Sequence, residues 1–152
     1  MPRRFKPIPC QEFPTDEKTL ARTNCLAFAL GIKTVSKRNR KKYILENQEG
    51  SIETIFLKKV KELRFNPKDF KLLRKEEEWS AEGYIIRVYC FRTEMYNGSG
   101  TTCKFHVIRR EPNGKWVHKP GFFYQPYELT SADWNAIGKQ YGSMYISFSV
   151  QT

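Results

Sequence analysis

His106-Val107-Ile108-Arg109-Arg110-Glu111-Pro112-Asn113-Gly114-Lys115-Trp116-Val117-His118 reads as one β-hairpin, and it holds the only two histidines of the chain. Glu-Pro-Asn-Gly suits a type I turn, with Pro112 at its second position and Gly114 at its fourth, where a left-handed residue makes a three-residue loop with a bulge. Glu111 and Lys115 then flank the loop. Counting back in that register sets Ile108 opposite His118 and Pro120 opposite His106, so both imidazoles point to one face as diagonal neighbours. A two- or four-residue loop would put them on opposite faces.

The flanking sequence extends this hairpin into a sheet. Tyr84 to Arg92 is rich in β-branched and aromatic residues and reads as a central strand, followed by the loop Asn97-Gly98-Ser99-Gly100. Met144, Ile146, Phe148 and Val150 alternate as a final strand, after a short helix that Thr130 caps and that runs through Ile137. The N-terminal half reads differently. After Ser51, the residues Ile52, Ile55, Phe56, Val60 and Leu63 recur at helical spacing while lysines fill the other face. Asn66-Pro67 stops that helix and starts a shorter one through Phe70, Leu72 and Leu73, ending before the acidic run Glu76 to Glu78. Earlier still, Thr23 is the expected N-cap of a buried helix carrying Asn24, Cys25, Leu26, Phe28 and Ala29, with Gly31 as its left-handed C-terminal residue. Four prolines between Pro2 and Pro14 make an extended arm packed along the surface. Helices first and an antiparallel sheet after them give an α+β class in one domain, 1–152.

Composition narrows the function classes. The longest apolar run, Leu26 to Leu30, is far below the roughly 18 residues that span a bilayer, so no transmembrane segment is expected. The basic N-terminus lacks a following apolar core and fails as a secretory signal, which makes a cytoplasmic location the expectation and leaves a non-signal export route open. Four cysteines, Cys10, Cys25, Cys90 and Cys103, include no C-x-x-C pair and read as reduced thiols, with Cys90 a buried small hydrophobe. Zinc fits poorly, because Cys103 and His106 stand an odd number of residues apart on one strand and so face opposite ways. Neither metal nor cofactor is expected. A net charge of +11 attracts polyanions, with its densest run from Lys33 to Lys42, so an anionic polymer or nucleic acid is a candidate partner. A solvated loop explains that run equally well.

Chemistry enters with Cys25. Amide hydrolysis by a thiol needs a thiolate, a base that later protonates the departing amine, and a third group that fixes the base. A helix N-terminus and a neighbouring imidazolium would both lower the pKa of Cys25. His106 is placed to pair with it, and His118 to select the tautomer of His106. Backbone N–H groups at Cys25 are available to an oxyanion. The aromatic tract Phe122, Phe123, Tyr124 and Tyr127 serves either as a groove beside the hairpin or as core.

These two segments resemble the catalytic motifs of the NlpC-type cell-wall peptidases, small members of the papain-like cysteine peptidase superfamily. Asn24-Cys25-Leu26-Ala27-Phe28-Ala29 is similar to their nucleophile helix, and His106-Val107, Asn113-Gly114-Lys115 and His118 match their His-Val strand, turn and return strand in order and spacing. Leu26 stands where that family usually has serine, and Phe105 where an acidic residue is common. The resemblance implies a papain-like α+β fold, with an N-terminal nucleophile helix packed on an antiparallel sheet and a basic, helical insertion at about 33–80. It also implies Cys25 as nucleophile, His106 as base and His118 as the orienting third residue, acting on a peptidoglycan peptide or a protein, with Asn24 and Trp116 near the substrate. The rival expectation is a basic protein that binds nucleic acid or a partner, including an inactive papain-like fold of viral or mobile-element origin.

Overall fold

A computed structural model describes residues 2–45, 50–94 and 101–152. The loop at Asn97 to Gly100 lies outside them, as does the side chain of Cys103. The hairpin forms in the anticipated register: the Glu111 N–H donates to the Lys115 carbonyl and the Gly114 N–H to the Glu111 carbonyl, both at 2.9 Å. Gly114 closes the loop at φ +86°, a conformation that favours glycine. Arg110 pairs with Trp116 and Arg109 with Val117, which by the same count places Ile108 opposite His118.

Strands β1 (Phe70–Leu73), β2 (Tyr84–Glu94), β3 (Thr101–Arg110), β4 (Trp116–His118), β5 (Tyr127–Glu128) and β6 (Tyr145–Val150) form one open antiparallel sheet in the order β1-β6-β2-β3-β4-β5. Helices α1 (Glu17–Leu20), α2 (Cys25–Ala29), α3 (Ile52–Glu62), α4 (Lys75–Ser80) and α5 (Ser131–Tyr141) complete an α+β architecture. The alternation of β3 assigns each helix to a face. Val107, with Ile86, Val88, Phe148 and Val150, packs beneath Leu26, Ala27 and Ala29 of α2, the Leu30 that follows them, and Ile55, Phe56 and Val60 of α3. Ile108 and Tyr89 on the opposite face pack against Ile137 and Tyr141 of α5. A smaller cluster joins Phe13, Leu20 and Phe28 to Val117.

Four local expectations are corrected. Asn24, not Thr23, caps α2; the Thr23 hydroxyl instead donates to the carbonyls of Thr19 and Lys33. Residues 70–73 form strand β1 rather than a helix, because β6 offers them a complete ladder from Phe70↔Val150 to Leu73↔Ser147. The acidic run lies inside α4, where Glu76, Glu77 and Glu78 occupy the first turn and meet the positive end of the helix. The lysines of α3 are also not all on the solvent face, since Lys59 is buried and pairs with Glu62 at 3.0 Å.

Residues 33–80, expected as an insertion, contribute Phe56 and Val60 to the main core and β1 to the sheet edge. The N-terminal arm is extended except for a 3₁₀ turn at Cys10–Glu12, and it buries Phe5 and Phe13 and bridges Arg3 to Phe65. Among the described residues no helix is long and apolar enough to cross a membrane.

Candidate active site

Cys25 is the first residue of α2, held by a cap with both ends occupied. The Asn24 side-chain oxygen accepts from the Ala27 N–H at 2.9 Å, and its amide nitrogen donates to the Tyr43 carbonyl at 2.7 Å. Asn24 is thereby buried and committed to holding the start of the helix.

The sulfur of Cys25 rests against the backbone N–H of Val107. Hydrogen-bonded pairs recur at every second residue of an antiparallel ladder, so the Glu111–Lys115 pair directs the Arg109 and Val107 N–H groups toward β4. Strand β4 ends at His118, and the thiol takes the place where the ladder would continue. Cys25 therefore reaches the plane of the sheet, one peptide from His106. Among the described residues no hydrogen bond joins the thiol to either imidazole.

The sign of the thiol's shift is opposite to that anticipated. The N–H groups of Val107, Leu26 and Cys25 and the Lys119 ammonium all favour the thiolate, but burial outweighs them and pushes the Cys25 pKa up to about 11. The residue is only 7% exposed, and at neutral pH it is a thiol.

The histidines do meet. His106 Nε2 and His118 Nδ1 lie 2.7 Å apart with their rings edge to face. Burial, then the neighbouring His118, lower the His106 pKa to about 4 against the opposing pull of Asp133. Burial likewise lowers that of His118, again opposed by Asp133. Both imidazoles are neutral at pH 7, so the bond between them carries one proton. The other nitrogen of His118, Nε2, is buried without a hydrogen-bond partner and faces Asp133 Oδ1 at 3.8 Å.

Two residues of this constellation were not singled out in the sequence. Asp133 arrives from α5 on the far side of the sheet fold, and its only local signal is a capping box with Thr130. Lys119, wholly buried, donates to the carbonyls of Leu20, Thr23 and Gly121 and so ties the segment before Cys25 to the end of the hairpin.

The remaining candidates lie elsewhere. Trp116 packs on the α5 face, with the Arg87 guanidinium 4.4 Å above its ring and Trp134 at 6.1 Å. It lines a cleft of about 420 Å³ with Lys75, Trp79, Arg87 and Arg110. Phe123 and Tyr124 are exposed rather than core, and Phe123 borders a cleft of about 600 Å³ beside Leu20 and Ala21. Lys33, Lys37, Arg38, Lys41 and Lys42 are exposed, whereas Arg40 turns inward to the Ala21 carbonyl at 3.0 Å and over Phe122. Cys10 and Cys25 are free thiols.

Comparison of the chain with protein-family models, with curated proteins and with solved structures finds no match.

Proposed function

We propose that the chain is a papain-like, NlpC-type cysteine hydrolase that cleaves amide bonds, with Cys25 as nucleophile, His106 as base and His118 as its orienting partner. One observation carries the reading: His106 Nε2 is bonded to His118 Nδ1 at 2.7 Å, which leaves His106 Nδ1 as the ring nitrogen available to a thiol one peptide away along β3. The reaction starts from a neutral pair. His106 Nδ1 takes the thiol proton as sulfur adds to the amide carbon, and the imidazolium then protonates the departing amine as the C–N bond breaks. Water, deprotonated by the same imidazole, cleaves the resulting thioester and restores the thiol. The N–H groups at the start of α2 are the donors nearest the developing oxyanion.

Substrate access requires the cover over Cys25 to open. The substrate is a peptide amide of peptidoglycan or protein, and the exposed cations between Lys33 and Lys42 favour an anionic one. Asn24 acts by holding the helix start rather than by touching substrate.

Iodoacetamide mapping at pH 7 tests the assignment, because Cys10 supplies an internal control on another element: burial and Glu111 push its thiol to about 11 as well. Cys25 is expected to react at least tenfold faster than Cys10 despite its deeper burial, and His106→Ala to abolish the difference. Equal rates, or indifference to His106→Ala, would overturn the reading.

A second reading is favoured by the 7% exposure of Cys25 and by its raised pKa, namely a polyanion-binding protein whose thiol does no chemistry. It predicts binding to a nucleic-acid duplex with steep salt dependence, unchanged by Cys25→Ala.

A further inference from the structure

We infer that Asp133 is a positioning residue that fixes the proton arrangement of the His106–His118 pair and so makes His106 Nδ1 a base; the inference rests on the hydrolase reading. A single hydrogen bond joins the two rings, so either ring can be the donor. In one arrangement His106 Nε2–H donates to His118 Nδ1, the proton of His118 sits on Nε2, and His106 Nδ1 carries a lone pair. In the other, His118 Nδ1–H donates to His106 Nε2, and the His106 proton moves to Nδ1. Only the first can accept the proton of Cys25.

Asp133 distinguishes them. Its Oδ1 stands 3.8 Å from His118 Nε2, too long for a hydrogen bond and well within Coulombic range at a buried nitrogen that has no other partner. A carboxylate there favours an N–H on Nε2 and disfavours a lone pair. The carboxylate itself is immobilised: Oδ2 accepts from the Thr130 N–H and hydroxyl, each at 2.8 Å, and Oδ1 accepts from the Tyr127 hydroxyl at 2.8 Å. Tyr127 also sets its ring edge-on to His118, with centroids 4.9 Å apart. Strand β5 and helix α5 thus aim one charge at one nitrogen, and the effect passes through two rings to His106 Nδ1.

The test is long-range ¹H–¹⁵N NMR of the imidazole nitrogens in the full chain at pH 7, with Asp133→Asn as the variant. The substituted amide keeps an oxygen for Thr130 and turns an N–H donor toward His118. Wild-type chain is expected to carry protons on Nε2 of both rings, and Asp133→Asn to move both to Nδ1, with a tenfold or greater loss of Cys25 alkylation at unchanged melting temperature. A wild-type His106 protonated on Nδ1, or tautomers that do not respond to Asp133→Asn, would overturn the inference. The wild-type spectrum decides even where the variant does not fold. The hydrolase reading fails separately, when the rings respond as expected and Cys25 is indifferent to His106→Ala.

Discussion

Arg109 and Phe28 are joined twice: the Arg109 guanidinium stands 4.3 Å above the Phe28 ring and donates to the Phe28 carbonyl at 2.8 Å. The same guanidinium donates to the Ile8 carbonyl at 2.8 Å and to Glu111 at 2.9 Å, so one wholly buried side chain on β3 holds α2, the N-terminal arm and the hairpin base. Removing it leaves Glu111 buried without its ion-pair partner. Arg109→Met is expected to cost about 3–5 kcal/mol in urea unfolding, whereas Arg109→Met with Glu111→Gln costs less than the single change because no lone charge remains. A double variant as unstable as the single one would deny the pair that role.

Acid sensitivity follows from the two imidazoles. Burial holds His106 at about 4 and lowers His118, while an unfolded histidine titrates near 6.5. Between those values the unfolded chain binds more protons than the folded one, so stability is complete above about pH 6.5 and is lost as pH falls toward 4. His106→Gln removes one titration, and the pH slope of its unfolding free energy is expected to be shallower than that of the wild type. The difference over this window is on the order of 2 kcal/mol. Parallel slopes would mean that His106 is not held neutral.

Local signals read well where the chain closes on itself within a few residues. The type I turn and Gly114 determined the hairpin register, and the Ser51 cap and apolar spacing located α3. Phe70 to Leu73 misled because a short apolar run has no period of its own, and its strand identity comes from β6, some eighty residues on. Asp133 was invisible for the same reason, since only the packing of α5 across the sheet brings it to His118. The thiol's pKa failed in another way. Helix end and charge partners can be read from sequence, but the depth of burial that outweighs them is a property of the assembled core.

Gly31 bears on how the N-terminal arm is held. Its φ is +77°, and a Cβ there would stand 3.0 Å from backbone atoms of Lys6 and Pro7. Neither neighbour is a flexible side-chain end that can swing away. Gly31→Ala is expected to lower stability by about 1–3 kcal/mol and to lift the arm, which limited tryptic proteolysis at Arg3 and Arg4 would register as faster cleavage. Unchanged cleavage would show that the arm is anchored by Phe5 and Phe13 alone.

Asn24 links helix stability to the reactivity of the thiol beside it. Its oxygen caps Ala27 and its amide nitrogen holds the Tyr43 carbonyl, and the two functions are separable by substitution. Asn24→Asp keeps an acceptor for the cap and adds a charge favoured at a helix N-terminus, but it donates nothing to Tyr43. Asn24→Ala loses both, at a cost of about 1–2 kcal/mol for the cap and about 1–3 kcal/mol more for the orphaned buried carbonyl. Because Cys25 is the next residue, loosening the helix start admits water to the sulfur and relieves the burial that raises its pKa. Asn24→Ala is therefore expected to speed iodoacetamide labelling of Cys25 at about pH 9, near the ordinary thiol range, several-fold while slowing any peptide turnover, since exposure rises as placement against Val107 is lost. Asn24→Asp should fall between the two. Labelling that slows in Asn24→Ala would mean that the cap, rather than the cover above it, is what presents the thiol.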